Sequence, residues 1–290
     1  MESTGNINNL LGMARTALLG GNHQEALEYF NRVLEIDPNI SEAWIGKGKS
    51  AAWQSNLVNI RLPEALISFQ HAIANSDPSQ KNAVTNQVVD EVNCVAVAVY
   101  GLARNHMVEF VSLDNSWPSY LGQVSQLIDG LEEVRKWAPE NINTLSNLVH
   151  FCKDNIEGFS FRNPYNNNTP AVHGITADYE KFLSERMNTA VEALRAIDPS
   201  YAPPTIVKKQ ADACFVVTAT MGDFNHPDVR LLRSFRDIWI RPKRGGNAFI
   251  ATYYRVGPWV SRFIERSAVL RHISYRLIVR PAVWFASKRM

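Results

Sequence analysis

The amino-acid sequence predicts an all-α fold built mainly from stacked helices, and two observations support this prediction. In residues 24–39, the apolar side chains of Ala26, Phe30 and Val33 recur at the spacing of one helix face. This stretch ends at Pro38, because proline cannot donate the next hydrogen bond of a helix. Comparable endings follow at Pro78, Pro139 and Pro199. A recurring helix with a recurring stop indicates a series of helices rather than a sheet.

The first helical hairpin is predicted in residues 7–38. Ala14 is a small residue on its first helix, and a Gly-Gly-Asn turn follows. Ala26, Phe30 and Pro38 then mark the second helix and its end. This alternation of small and large residues resembles the tetratricopeptide repeat, a helical hairpin of 34 residues. The resemblance implies that small residues let the two helices approach closely, while larger residues fill the space between them.

A second repeat is predicted in residues 41–78, because its first helix follows that of the first repeat by 34 positions. Its predicted packing residues are Trp44, Gly48, Ala65, Phe69 and Pro78. The residues of its second helix arrive five positions late, which predicts an insertion near residues 54–63. The resemblance is therefore clearest in residues 7–78 and weakens beyond them.

Further helices are predicted in residues 82–113, 120–137, 143–155 and 176–197, where apolar residues recur at helical spacing. Between the last two, residues 158–175 contain two prolines, two glycines and three successive asparagines. This composition predicts a surface loop. The aromatic residues of the loop are compatible with a partner site or with anchoring of the loop to the core.

Charge is divided unevenly along the chain, although the formal net charge is only +2. Residues 208–290 contain 16 Lys and Arg against 5 Asp and Glu, or +11, and the remainder contains 14 against 23, or −9. We therefore predict two domains, residues 1–203 and a basic domain of residues 204–290. Such asymmetry indicates that the basic part meets an anionic partner. The alternative is that the two parts neutralise each other within one molecule.

The basic domain carries an ordered set of short motifs. They are Cys214-Phe215, Thr218-Ala219, Gly222, His226-Pro227, residues 232–237, Ala248-Phe249, Tyr253-Tyr254 and Pro258. This set resembles the bacterial Cys-Phe-Ile (CFI) box C-terminal domain, although Thr220, Met221 and Gly257 depart from its pattern. The resemblance implies a small, mostly helical domain and a bacterial protein, and it supplies no activity. A helix is predicted to begin near Ala248 and to end before Gly257.

Three residues of this domain have the types that thiol catalysis requires. Cys214 offers a nucleophile, His226 a base and Asp237 an orienting acid. A cysteine between Ala213 and Phe215 is equally suited to burial as a small apolar residue, and we interpret Cys214 as structural. The sequence has no phosphate loop, nucleotide fingerprint or metal-ligand spacing, so no cofactor or metal is expected. A cysteine-dependent enzyme stays the alternative to a non-enzymatic protein.

Residues 260–290 are predicted to form one or two basic helices that end in an aromatic patch. The residues predicted to contact an anionic surface are Arg262, Arg266, Arg271, Arg276, Arg280, Trp284, Lys288 and Arg289. Cations flanking apolar and aromatic residues are typical of proteins that bind an anionic membrane surface. Nucleic acid is the less favoured partner, since no groove-reading motif is recognisable. The alternative is that the apolar residues form a core and the arginines a solvated face.

These patterns together predict a non-enzymatic adaptor. Its repeat groove would bind a protein or peptide, and its basic domain would dock to a partner or to an anionic membrane surface. The chain has three widely spaced cysteines and does not begin with a basic-then-apolar signal pattern. The expected location is therefore the cytoplasm, with peripheral attachment at the inner face of the membrane.

Overall fold

The structure is a computed structural model that describes residues 2–163, 165, 169–209, 214–223 and 226–290. The chain forms two compact units. The first comprises residues 1–158 and 174–208, and the second comprises residues 159–173 and 209–290. That the predicted ranges 1–203 and 204–290 are separate domains stays a prediction. The all-α class is confirmed, because helices account for nearly all regular structure in both units.

The first unit begins with two helical hairpins. Their helices are α1 (Glu2–Leu19), α2 (His23–Ile36), α3 (Ser41–Trp53) and α4 (Leu62–Ala74). The turn between α1 and α2 passes through Gly21, whose φ of 74° lies in the left-handed region that glycine adopts readily. The side chain of Asn22 then accepts a hydrogen bond from the Glu25 amide and caps α2.

The predicted insertion lies between α3 and α4, in residues 54–61. Its chain reversal is held by the side chain of Asn56, which accepts hydrogen bonds from the amides of Val58 and Asn59 at 3.0 and 2.9 Å. Pro63 then lies in the first turn of α4, where its missing amide hydrogen costs no helical bond. The insertion therefore extends the loop of the second hairpin without interrupting either helix.

Four longer helices complete the first unit. They are α5 (Lys81–Glu109), α6 (Ser116–Trp137), α7 (Ile142–Glu157) and α8 (Ala177–Ile197). The side chains of Asn141 and Thr176 cap α7 and α8 by accepting hydrogen bonds from backbone amides three residues ahead. Most valines of α5 and most leucines of α6 and α7 are buried, so these helices form the main core of the unit.

The second unit contains a β-hairpin in the segment that the sequence predicts to be a loop. Strand β1 (Phe159–Asn163) pairs antiparallel with β2 (Thr169–His173). The loop prediction was wrong for these ten residues, because prolines and glycines exclude a helix but are tolerated in an isolated two-stranded ribbon. The Phe161 ring stacks on His173 with centroids 4.6 Å apart, while Tyr165 is exposed. The predicted asparagine run at residues 166–168 lies outside the described residues.

The remaining helices of the second unit are shorter. They are α9 (Phe215–Met221), α10 (Pro227–Phe235), α11 (Gly246–Glu265), α12 (Ala268–Ser274) and α13 (Arg280–Ser287). Two π-helical turns, Arg236–Ile240 and Tyr275–Val279, continue α10 and connect α12 to α13. At Gly246, the first residue of α11, an added Cβ would lie 1.9 Å from the Ile240 carbonyl oxygen, so only glycine fits there.

Helix α11 does not end where the sequence predicts. It continues through residue 257 to Glu265. At Gly257 a Cβ would lie only 3.0 Å from Cδ2 of Phe215, so the missing side chain lets α11 pack closely on α9. This tertiary contact favours a continuous helix at a residue whose intrinsic preference is to interrupt one.

Candidate functional site

A contact between a phenylalanine and a glycine joins the first hairpin to the second. Ala14 and Ala26 are fully buried at the contact of α1 with α2. The Phe30 ring is buried and lies over Gly46 of α3, where a Cβ would come within 2.0 Å of Phe30 Cζ. Gly46 is a packing residue that the sequence prediction missed, and the signal for it was a glycine inside a predicted helix.

The second hairpin repeats this contact one helix further along. Phe69 and Ala65 are fully buried on α4, and a Cβ at Gly48 would lie 2.5 Å from Phe69 Cε1. Trp44 is half-buried, donates from Nε1 to the Pro38 carbonyl oxygen at 2.7 Å and stacks on His71. Pro38 and Pro78 are exposed and follow the helix ends, so they stop helices without filling the core.

Ion pairs link successive first helices of the hairpins. The Arg15 guanidinium on α1 donates two hydrogen bonds to the Glu42 carboxylate on α3, at 2.6 and 2.7 Å. These hydrogen bonds and the Glu42 charge raise the pKa of Arg15. Between α3 and α5, the Lys49 ammonium lies 2.7 Å from the Glu91 carboxylate. The same carboxylate accepts a hydrogen bond from Nε1 of Trp53 at 2.6 Å. The surface of α1, α3 and α5 is therefore a connected polar row.

A cleft of about 680 Å³ lies along the first hairpin. Side chains of both α1 and α2 line it, and most of the polar ones are amides or hydroxyls. The polar lining residues are Asn8, Asn9, Thr16, Asn22, Glu25 and Tyr29. Amide and hydroxyl groups can both donate and accept hydrogen bonds, so this lining suits the backbone of an extended peptide.

The cysteines differ in accessibility. Cys94 is exposed, whereas Cys152 and Cys214 are buried. Burial, with a smaller effect of the Glu132 charge, raises the pKa of Cys152 to about 12. Cys214 packs with Val217 and Val229 in the core of the second unit. The burial of Cys214 is what the structural interpretation of this residue expects.

The two proposed partners of Cys214 have identifiable structural roles. Nδ1 of His226 accepts a hydrogen bond from the Asp228 amide at 3.2 Å, which caps α10. The Asp237 carboxylate pairs with Arg236 at 2.8 Å and with Arg241 at 3.0 Å. The helix cap formed by His226 and the pairing of Asp237 with two arginines give both side chains structural roles that do not require catalysis. A catalytic role for the three residues stays a hypothesis.

Aromatic residues from separate motifs meet in the core of the second unit. The Phe215 ring contacts those of Tyr253 and Tyr254, with centroids 6.2 and 5.7 Å apart. The Tyr253 hydroxyl accepts a hydrogen bond from the Val216 amide at 3.0 Å, and Tyr254 accepts one from the Arg236 guanidinium. Burial is the largest cause that raises the pKa of Tyr253, and the nearby Cys214 raises it further.

Arg236 is only 4% exposed, which is unusual for a guanidinium. Burial lowers its pKa, but the hydrogen bonds and charge of Asp237 outweigh burial and raise it overall. Neighbouring Arg233 is also buried, and there burial, together with the charge of Arg236, leaves the pKa lowered. The second unit therefore holds charge in its interior, and Asp237 is its principal counter-charge.

The basic C-terminal segment presents cations and apolar groups side by side. All eight residues predicted for an anionic surface are exposed, including Trp284 at 59%. The Lys288 ammonium lies 4.0 Å from the centroid of the Trp284 ring, and Arg289 lies 5.0 Å from that of Phe285. Val279 and Ala286 are buried, as the core alternative expects, but most large apolar residues of this segment are exposed.

Two kinds of feature are absent from the described parts of the chain. In those residues, no helix has both the length and the apolar character needed to cross a bilayer. Nor do His, Cys, Asp and Glu side chains gather there in a group of three or more that could hold a metal ion.

Comparison with known proteins gives only distant similarity. Neither a protein-family model nor a curated protein matches the chain. Among solved structures, the crystal structure of MamA protein is similar at 11% identity and a TM-score of 0.25, covering 69% of this chain and 98% of that one. The MamA RS-1 ArsTM double mutant is similar at 15% identity and a TM-score of 0.22, covering 67% and 98%.

Proposed function

We propose that this protein is a non-enzymatic adaptor of the tetratricopeptide type. Its helical hairpins bind a protein or peptide partner, and its basic C-terminal unit docks reversibly on an anionic membrane surface. The observation that carries the proposal is the exposed mixture of cations, aromatic and aliphatic side chains in residues 260–290. A surface of this kind matches both the phosphate and the acyl region of a bilayer.

The partner-binding half of the proposal rests on the hairpins. Stacked hairpins present extended surfaces in which each repeat contacts its neighbours and leaves one edge to solvent. Here the polar row on α1, α3 and α5 carries the exposed pair Arg15–Glu42 and the half-buried pair Lys49–Glu91, and the nearby cleft is lined mainly with amide and hydroxyl groups. These groups suit a partner that offers an extended, polar main chain.

The docking half rests on charge and exposure. Near an acidic leaflet, each cation contributes about 1 kcal/mol of binding free energy. The +11 charge of residues 208–290 and the exposed positions of the arginines supply several such contributions. Since acidic lipids are concentrated on the cytoplasmic leaflet, the proposed location is the cytoplasm with attachment at the inner face of the membrane.

The CFI-box-like assignment of the second unit belongs to the same proposal. Residues of three motifs in the quoted set, at Phe215, Arg236-Asp237 and Tyr253-Tyr254, contact one another in a single cluster. Motifs distant in sequence that meet in one core are expected when they define one domain. Cys214 packs in the core that these elements share and contributes there as a small apolar residue.

A competition experiment tests the docking function. The full-length protein is mixed with vesicles of phosphatidylcholine, with or without phosphatidylserine, and with duplex or single-stranded DNA at equal ionic strength. We expect binding to the acidic vesicles only, weakened by added salt. The variant Arg271→Gln/Arg276→Gln/Arg280→Gln should lose most of this binding. The matched control Arg32→Gln/Lys81→Gln/Lys181→Gln removes three exposed cations of the first unit and should bind normally.

Two results would contradict the docking function. Binding to DNA but not to acidic vesicles would favour the nucleic-acid alternative. Binding to neither would indicate that the basic unit only neutralises the acidic remainder of the chain.

A further inference from the structure

Helix α11 exposes a continuous apolar stripe that the sequence prediction did not identify. Phe249, Val256, Trp259 and Phe263 are 61, 48, 64 and 47% exposed. Their spacing of seven, three and four residues places them on one side of the helix. The rings of Trp259 and Phe263 lie against each other with centroids 4.8 Å apart. Four large apolar side chains therefore form one solvent-facing patch.

The opposite side of α11 is already occupied. Ile250, Ser261 and Ile264 are buried, and Gly257 packs against Phe215 of α9. Tyr253 also binds the Val216 amide through its hydroxyl group. Because these contacts fix the rotation of the helix about its axis, the stripe cannot turn into the core of its own unit.

Cations lie along one side of the stripe. At about 100° per residue, Arg255, Arg262 and Arg266 form a row beside it, and all three are exposed. Glu265 is the single acidic residue of α11, and the same rotation places it well away from the stripe. The exposed surface therefore consists of an apolar strip, interrupted by the hydroxyl group of Thr252, with a cationic border along one side.

We propose that α11 is an amphipathic helix that lies in the plane of an anionic bilayer, with its stripe inserted at the boundary between headgroups and acyl chains. Trp259 is the principal anchor, and the arginine row binds lipid phosphates at the level of the headgroups. The inference rests on the docking function proposed above and identifies the helix that inserts. A second copy of the chain in antiparallel two-fold pairing fits this surface poorly, because the one-sided arginine rows of both copies would then lie on the same side.

Vesicle flotation of the full-length protein tests the insertion of α11. The variant Phe249→Gln/Trp259→Gln should lower partition into phosphatidylserine-containing vesicles on the order of tenfold or more, because two apolar side chains no longer leave water. The matched control Leu19→Gln/Val58→Gln alters two exposed apolar residues of the first unit and should bind like the wild type. All four positions are exposed, so circular dichroism and melting temperature should stay unchanged.

A fluorescence measurement keeps the test independent of affinity. Lipids brominated in the acyl chains should quench the tryptophan emission of the bound wild-type protein. The variant Trp259→Phe keeps an apolar ring at this position, so it should bind normally and lose part of the quenching.

Each outcome of these experiments decides the inference. If the wild type fails to bind acidic vesicles, both the docking function and the insertion of α11 are wrong. If the wild type binds and Phe249→Gln/Trp259→Gln binds equally well, docking stands and the insertion is wrong. If that variant converts a wild-type dimer into a monomer without changing vesicle binding, the stripe is covered by a second copy, and the insertion is again wrong.

Discussion

The two hairpins in residues 2–78 and the helices in residues 214–290 distribute polarity in opposite ways. In the hairpins, alanines and glycines let helices approach, phenylalanine rings fill the gaps, and the ion pair Arg15–Glu42 lies at the surface. In the C-terminal helices, the ion pair Arg236–Asp237 is buried, and large apolar side chains such as Trp259 face solvent.

In the hairpins, the groups that stabilise the fold are different from the polar groups at the surface. In the C-terminal region, the same small unit holds both the buried ion pair and the exposed apolar side chains. Exposed ion pairs contribute little to folding, so the hairpin surface is open to change for partner binding. Contiguous exposed apolar patches such as that on α11 often mark a surface that meets a partner or a membrane. The second unit therefore has the polarity expected of a docking module.

The largest effect on stability is expected from breaking the buried ion pair. Asp237→Asn leaves the buried Arg236 guanidinium without its counter-charge and should cost about 3–5 kcal/mol of unfolding free energy. The exposed counterpart Glu42→Gln should cost about 0.2–1 kcal/mol. Urea denaturation, with hydrogen exchange to report on each unit, measures both. Equal costs for the two substitutions would contradict the contrast between the regions.

The next effect is expected at the contact between the helices of the first hairpin. Ala26→Phe adds a ring at a fully buried position and should cost about 1–3 kcal/mol through overpacking. The control Ala74→Phe adds the same ring at an exposed position of α4 and should change stability little. An unchanged thermal unfolding curve for Ala26→Phe would count strongly against close packing of α1 and α2.

A smaller effect is expected at the glycine beneath Phe30. Gly46→Ala gains about 1 kcal/mol of helix propensity, but its methyl group would collide with the Phe30 ring, so we expect a modest net loss of stability. In a Phe30→Leu background the same substitution should be neutral or stabilising, because the ring is gone. A double-mutant cycle on the melting curves measures this coupling. Absence of coupling would show that the two residues do not touch.

The smallest effect on stability is expected from modification of the exposed cysteine. Iodoacetamide should alkylate Cys94 in the folded protein without changing its melting curve, since this thiol is accessible. Cys152 should resist, because burial raises its pKa to about 12 and little thiolate exists near pH 8. Cys214 should also resist until the protein unfolds, and mass spectrometry of tryptic peptides separates the three sites. Rapid alkylation of folded Cys214 would support the catalytic alternative.

The hairpins were predictable because their signals are local. Helical periodicity, the Gly-Gly-Asn turn and Pro38 as a stop act within a few residues of each other. The insertion was placed within two residues of the observed connection, since a fixed repeat length exposes any departure from it. Gly46 was missed because its role depends on Phe30, which belongs to a different helix.

The second unit was harder to predict because its key contacts are distant in sequence. The pairing of β1 with β2 arises between two short segments that separately read as loop. An apolar residue in a helix usually predicts burial, and an exposed one is recognised only when the neighbouring helices are known. The stripe at Phe249 and Trp259 is therefore visible only once Gly257 and Phe215 fix the rotation of α11.

The most direct test of the contrast between the two regions is hydrogen–deuterium exchange of the full-length protein with and without phosphatidylserine-containing vesicles. Docking through the C-terminal unit predicts slower exchange in peptides from residues 246–290, because insertion stabilises these helices. It predicts unchanged exchange in residues 2–78, whose helices are already held by packing against each other. Slower exchange confined to the hairpins, or no change anywhere, would contradict the assignment of membrane docking to the second unit.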